Sequence, residues 1–418
     1  MAKANKGDWQ GAILDLSKSI ELDPNFSCAY SERATVKLNM GELKGAIEDY
    51  SKAIEGEPKN PLYYVNRGVA KRRSGDYSGA VSDHSKAIAA DVSCVLAYYN
   101  RGVVEIDGGD IEAAISDFSK AIEIEPTYEL AYCARGSVEA AKRDYGAALA
   151  DLSKAITLNP NDATAYGKRG MAKLRMGDTE GSTKDLSQAI SIDQHYIEAF
   201  QARGIAERRI GAAAAAIADF SKVIALDAEN AEAYRFRGMA RIDMGEIENA
   251  TADLAKAVEL RPQDSMVHEM RGALKEIKGG FQDAYEDYGK AVELAKDDAA
   301  YVRFWLFLID RRLKRRDPIA HLKTVVDSWK EGWPKTVGLF LTGQMTETAF
   351  MDSASKGDGK AVPGHQCEAR YYCGMLHLLS GDYAKAKSLF TECVASGPRD
   401  FVEVALARAE LARLAAKH

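Results

Sequence analysis

Two residue types recur in this chain at a spacing that could do chemistry. Arginine stands at Arg33, Arg67, Arg101, Arg135, Arg169, Arg203, Arg237 and Arg271. Aspartate stands at Asp15, Asp49, Asp83, Asp117, Asp151, Asp185, Asp219, Asp253 and Asp287. Each series advances by 34 residues per step. A guanidinium offers a planar fork that matches a carboxylate through two parallel bonds. The chemistry open to these residues is therefore mutual pairing, or anion binding if the arginines face solvent; pairing is the expected state. A Ser-Lys pair recurs as well, at Ser17-Lys18, Ser51-Lys52, Ser85-Lys86, Ser119-Lys120, Ser153-Lys154 and Ser221-Lys222. A serine nucleophile activated by lysine would be a single site and not a copied one, so these pairs read as solvated helix surface. His84 and His268 read as core residues. Gly279-Gly280 makes no phosphate loop, and no nucleophile elbow, zinc motif or nucleotide fingerprint appears. The sequence therefore assigns no catalytic residue, no cofactor and no metal ligand.

The elements that must position these residues follow from the same period. A fixed repeat of this length is the signature of a helical solenoid. Each period holds two helical patterns. The first carries the arginine, followed by Gly in seven of its eight copies. A Gly-acid turn follows at Gly41-Glu42, Gly75-Asp76, Gly109-Asp110, Gly177-Asp178 and Gly245-Glu246. Glycine there suits a helix C-terminus, and the acid suits the next N-terminus. The second pattern stops at Pro58, Pro126, Pro160 and Pro262, because proline cannot continue a helix. The 418 residues carry a net charge of -6, with no basic stripe, which argues against nucleic acid as a partner. No apolar run has the roughly 20 residues needed to span a bilayer. The chain enters at Gly7-Asp8-Trp9, in mid-period. This reads as a truncated half-repeat at 1–24, with more protein expected upstream.

These features resemble the tetratricopeptide repeat (TPR) family. With Gly102 as position 8, position 4 is aromatic at Tyr30, Tyr64, Tyr98, Tyr132, Tyr166, Phe200 and Tyr234. Position 20 is small at Ala46, Ala80, Ala114, Ala148, Ser182, Ala216, Ala250 and Ala284. The resemblance implies an all-α fold, a right-handed superhelix (α-solenoid) of antiparallel helix pairs whose first helices, the A helices, line a concave groove. Eight repeats are expected over 25–296. Position 7, aliphatic in the common pattern, is Arg here, and position 23, on the second (B) helix, is Asp. In the family positions 8 and 20 touch, which puts Arg and Asp level and predicts a ladder of Arg–carboxylate bonds. Nine Asp against eight Arg, with the extra Asp at the N-terminal end, favours pairing between neighbouring repeats.

Positions that vary between copies are where a ligand surface can be written. They include Asn66, Arg73, Tyr99, Asn100, Lys168, Arg175, Gln201, Arg209 and Arg235. Arg73, Arg175 and Arg209 lend the inner face positive charge, which suits an extended, acidic-leaning peptide. The cations that the family uses to clamp chaperone tails are missing: Ser31, Thr35, Val65 and Val69 stand in their places.

The period breaks over 297–366. Ala299–Ile309 is apolar almost all round and reads as a buried cap on the array, and the basic run Arg311, Arg312, Lys314, Arg315 and Arg316 as a solvated helix end. Residues 367–418 return to the repeat frame as one TPR-like repeat plus a helix, Phe401–Ala416, that closes the open end. The runs Gln366–Gly374, Leu379–Asp382 and Phe401–Glu403 resemble the end of bacterial TPR lipoproteins, some of which act as envelope adaptors. In the repeat frame Cys367 and Cys393 are level, which makes them a candidate disulfide with Cys373 as competitor. The expected function is a non-catalytic scaffold or adaptor for a protein or extended peptide, with a second copy of the chain as a further candidate partner. The resemblance favours the periplasm or envelope if an upstream signal was removed, and the cytoplasm otherwise. An intracellular co-regulator or assembly factor is the alternative, and an enzyme with a site in 297–366 the weakest reading.

Overall fold

The computed structural model describes residues 8–296, 299–315, 317–356, 359 and 361–416. Among them every regular element is a helix. The chain divides into two compact units, Met1–Met176 and Gly177–His418. The first holds α1 (Trp9–Leu22), α2 (Ser27–Asn39), α3 (Leu43–Gly56), α4 (Pro61–Arg73), α5 (Tyr77–Ala90), α6 (Val95–Gly108), α7 (Ile111–Ile124), α8 (Glu129–Ala141), α9 (Tyr145–Leu158) and α10 (Ala163–Met176). The second opens with α11 (Thr179–Ile192), α12 (Ile197–Arg209), α13 (Ala213–Leu226), α14 (Ala231–Asp243), α15 (Ile247–Leu260), α16 (Ser265–Ile277) and α17 (Phe281–Ala295). It closes with α18 (Ala300–Arg312), α19 (Pro318–Val326), α20 (Trp333–Leu341), α21 (Glu347–Ala354), α22 (Val362–Ser380), α23 (Tyr383–Ser396) and α24 (Val402–Ala415).

Within each unit the A helix of a pair packs against its B helix, and that B helix against the next A helix. Each unit is thus an α-solenoid. The local causes repeat with the sequence. Gly75 and Gly109 end A helices at φ of +85° and +83°, in the left-handed region that glycine enters without strain. The acid that follows caps the B helix, as where Asp76 accepts a hydrogen bond from the Gly79 amide at 2.9 Å. The Arg-Gly glycine permits close approach: a Cβ on Gly102 would stand 2.8 Å from the Phe118 ring. The core is consequently a series of small clusters, each shared between neighbouring repeats.

After α17 the clusters merge into one large core. It takes in Phe304, Trp305 and Leu308 of α18, Phe340 of α20, Phe350 of α21, Tyr371 and Tyr372 of α22, and Phe390 of α23. One expectation is corrected here. Two members of the basic run are not solvated: Arg312, at the end of α18, bonds the buried Glu410 at 2.8 Å, and Arg315 lies over the Tyr285 ring at 3.6 Å. Arg316 falls outside the described residues. The last helix does more than close an end. It packs on α22 and α23, and also on α16.

Candidate interaction surface

The arginine and aspartate series meet, and they do so within repeats. Arg67 donates from Nε and Nη2 to Asp83, both at 2.7 Å. Arg33–Asp49, Arg101–Asp117 and Arg135–Asp151 repeat this geometry in the first unit. Arg203–Asp219, Arg237–Asp253 and Arg271–Asp287 repeat it in the second. The partners lie 16 residues apart, so each bond ties an A helix to its own B helix, and the end-count argument for cross-repeat pairing does not describe these pairs. The link to the preceding repeat runs instead through serine. The Nη1 of Arg67 donates to Ser51 Oγ at 3.0 Å, and that of Arg169 to Ser153 Oγ at 3.1 Å.

The recurring serine is therefore a structural acceptor and not mere solvated surface. Its fixed offset of 16 before each arginine is the sequence signal that marks it. Ala255 stands at that offset from Arg271, whose side chain is more exposed, at 29%, than the 14% of Arg67. Most ladder arginines also lie beside the position-4 ring of their own helix, as Arg101 does with Tyr98 at 5.8 Å. Asp15 sits exposed on α1.

The residue four after each ladder arginine sets the local charge. Lys37 and Lys71 bond Asp49 and Asp83 at 2.8 Å, Arg241 bonds Asp253 at 2.7 Å, and Lys275 bonds Asp287 at 2.9 Å. In three repeats it is instead an acid, Glu105, Glu139 or Glu207. Burial, and then the neighbouring aspartate's charge, pushes each of these carboxyls up to about 7.

Two histidines sit in the core. His268 reaches the Pro262 carbonyl at 2.9 Å, as Tyr64 reaches Pro58 at 3.1 Å from the same repeat position. His84 is fully buried with both ring nitrogens unpartnered, and burial lowers its pKa to about 4. Among the described residues no cluster of His, Cys, Asp or Glu could hold a metal ion, and no helix is long and apolar enough to cross a membrane.

The variable A-helix residues separate by unit. In the first unit Leu62, Asn66, Val69 and Arg73 follow one stripe of α4, and Leu96, Asn100, Val103 and Asp107 the same stripe of α6. Arg73 turns to the Leu38 carbonyl at 2.9 Å, and Asn100 to the Leu96 carbonyl of its own helix at 2.8 Å. Tyr99 packs edge-on against Tyr128, with ring centres 5.4 Å apart, and tilted against Phe118. Its phenol is raised by burial first and then by nearby charge, including that of Asp162 and Glu129. Asn66 and Lys168 are half-buried, and Arg175 is exposed.

In the second unit the equivalent face carries the C-terminal segment. Arg209 of α12 stands 3.6 Å from Asp400. Val402 packs against Met239 and Ile242 of α14 and Met270 of α16. Arg413 donates to the carbonyls of Glu276 and Ile277 at 3.1 and 3.2 Å, closing the C-terminal end of α16. Of the other residues singled out there, Gln201 bonds Asn230 at 3.3 Å, and Arg235 is buried over the Phe236 ring at 4.1 Å. Arg209 remains 43% exposed beside Asp400, whereas Arg235 is buried. The local sequence of α12 and α14 carries no sign of the covering segment, which lies some 160 to 200 residues further along the chain.

Cys367 of α22 and Cys393 of α23 are buried thiols with sulfurs 3.0 Å apart. Cys373 is buried on the same helix as Cys367.

Two protein-family models, both described as tetratricopeptide repeat, match the chain, one over residues 95–128 and the other over 130–162, 163–196 and 231–264. No curated protein matches it. Among solved structures the chain is similar to MamA, at 30% identity over 40% of this chain and 96% of that one, with a TM-score of 0.36. It is also similar to a tetratricopeptide repeat protein from Parabacteroides merdae, at 23% identity over 59% and 97% of the two chains, with a TM-score of 0.45. YrrB, described as a TPR protein with an unusual peptide-binding site, matches at 22% identity over 45% and 97%, with a TM-score of 0.37.

Proposed function

Because this chain belongs to the tetratricopeptide repeat family, we propose that it is a non-catalytic scaffold holding a protein or peptide against the A helices of its first unit. One observation carries this reading. The A-helix face of the second unit is occupied by the chain's own residues 399–413, whereas in the first unit Leu62, Leu96 and Leu130 stand 48%, 41% and 43% exposed. Three half-exposed leucines at one repeat position are a surface that costs solvation until it is covered. The ladder beneath them fixes the register of the helices, so the surface is preformed and little ordering is needed on binding. Photo-crosslinking from position 100, set against crosslinking from position 209, tests the assignment. Partner adducts at 100 and not at 209 support it; adducts at 209 alone overturn it.

An adaptor role in the bacterial envelope is the narrower form of this reading. It rests on the likeness of Gln366–Gly374 and Phe401–Glu403 to the bacterial lipoproteins. Fractionation of the native cell decides it: recovery of the protein only in the cytosol rules the envelope role out.

A further inference from the structure

Resting on the scaffold reading, the structure of the first unit also narrows the chemistry of the partner. Leu62, Leu96 and Leu130 hold the same position at the N-terminal ends of α4, α6 and α8. These helices are neighbours. α4 touches α6, and Tyr99, Val103 and Ile106 of α6 pack on the cluster that holds Val138 of α8. The leucines therefore form a row that crosses the helices. Helices in contact lie about 8–10 Å apart. A polyproline II chain has three residues per turn and rises about 3.1 Å per residue, so every third side chain returns to the same face roughly 9 Å further on and meets the next leucine.

The charge beside the row is one-sided. The turns that lead into and flank it, residues 57–62, 91–96, 125–130 and 159–164, carry Glu57, Asp91, Glu125, Glu129 and Asp162 against the single cation Lys59. This acidity reaches the inner face. Glu57 is among the charges that raise the Cys28 thiol, which takes the leucine's position in α2, after burial and Glu32. Of the cations on α4, Arg72 is neutralised by Asp107 at 2.6 Å, and Arg73, held by the Leu38 carbonyl, stands at the end of the helix opposite Leu62. The second unit offers no such row, with Glu198 and Glu232 at two of the equivalent positions.

We propose that this row binds an extended, basic segment with aliphatic side chains at every third residue. The leucines supply apolar contact, and the acidic turns draw in lysine or arginine and exclude acidic sequences. This reverses the acidic-leaning partner that the arginine count alone suggests.

The test uses the full chain and two fluorescent peptides, one repeating Leu-Lys-Lys and one repeating Leu-Glu-Glu, followed by anisotropy. The lysine peptide binds and weakens as salt rises, whereas the glutamate peptide does not bind. Replacing the leucines (L62S/L96S/L130S) weakens the lysine peptide by about tenfold or more, as expected for losing three half-buried aliphatic contacts. The variant E57K/E125K/E129K does the same and flattens the salt dependence. Preference for the glutamate peptide overturns the proposal. So does lysine-peptide binding that neither variant changes, or a chain dimer that L62S/L96S/L130S converts to monomer. The scaffold reading has a separate failure, since it falls on the position 100 and 209 crosslinks whatever either peptide does.

Discussion

Arg135 grips Asp151 with two nitrogens, Nε at 2.6 Å and Nη2 at 2.9 Å, and gives its third to Ser119 of the preceding repeat at 2.9 Å. One side chain thus fixes a helix pair and its neighbour together. Removing the guanidinium leaves a carboxylate that is largely buried and has Glu139 nearby. Arg135→Leu is expected to cost about 3–5 kcal/mol, the usual penalty for breaking a buried pair from one side. The double variant R135L/D151L recovers most of that loss. Chemical denaturation of the two variants checks it, and a double variant as unstable as the single one would show that the pair is worth more than an apolar contact of the same size.

Glu105, Glu139 and Glu207 give the ladder a pH dependence. Their folded carboxyls titrate near 7, above the ordinary value of 4.5. A raised folded pKa means a contribution to stability that is full below about 4.5 and lost as pH rises through about 7. The triple change E105Q/E139Q/E207Q is expected to raise stability at pH 8 by about 1 kcal/mol per site, after allowing for solvent screening. At pH 4.5 it changes little. Thermal unfolding at the two pH values reads the difference directly, and an equal effect at both would remove these carboxyls as its source.

Docking of α24 should follow the same sign. It sets Glu403 beside Glu269, and Glu410 beside Glu276 of α16. Burial and the facing acid push Glu269 and Glu276 up to about 7. The surrounding groups are Arg235, Arg312, Arg413 and the phenol of Tyr288, which bonds Glu276 at 3.0 Å. Raising pH from 6 to 8.5 therefore charges the α16 side of the contact. Amide exchange in 402–415 is expected to quicken several-fold more than in α22, once corrected for the intrinsic rate. Equal acceleration in both helices would show that the contact itself does not titrate.

The two cysteine sulfurs 3.0 Å apart are placed for oxidation. Mild oxidation of the folded chain should join Cys367 to Cys393 with loss of two hydrogens, visible by mass spectrometry of non-reduced peptides. Burial makes the reaction slow, and Cys373→Ser should leave it unchanged. Recovery of a Cys367–Cys373 bridge, or only free thiols after prolonged oxidation, would exclude it.

The repeating unit is legible in the chain before it folds. Period, turn glycines, capping acids and the Arg and Asp series are local or recur with the repeat, so the contacts they make are copied along the chain. His268 could be placed in the core for that reason, since it stands where the other copies have a ring. Contacts between residues far apart in sequence emerge only once the helices are packed. Whether Arg67 meets Asp83 or an earlier aspartate depends on how the helices tilt, which no spacing encodes. That Ser51 completes the same arginine required the neighbouring helix in place. Arg312 meets Glu410 of α24, a helix that the period does not predict to return onto α16, and Arg209 meets Asp400 just before that helix. Charge counted along one helix cannot anticipate a carboxylate that arrives from the far end of the chain, and that is why the inner face of the second unit read as open in sequence and is covered in the fold.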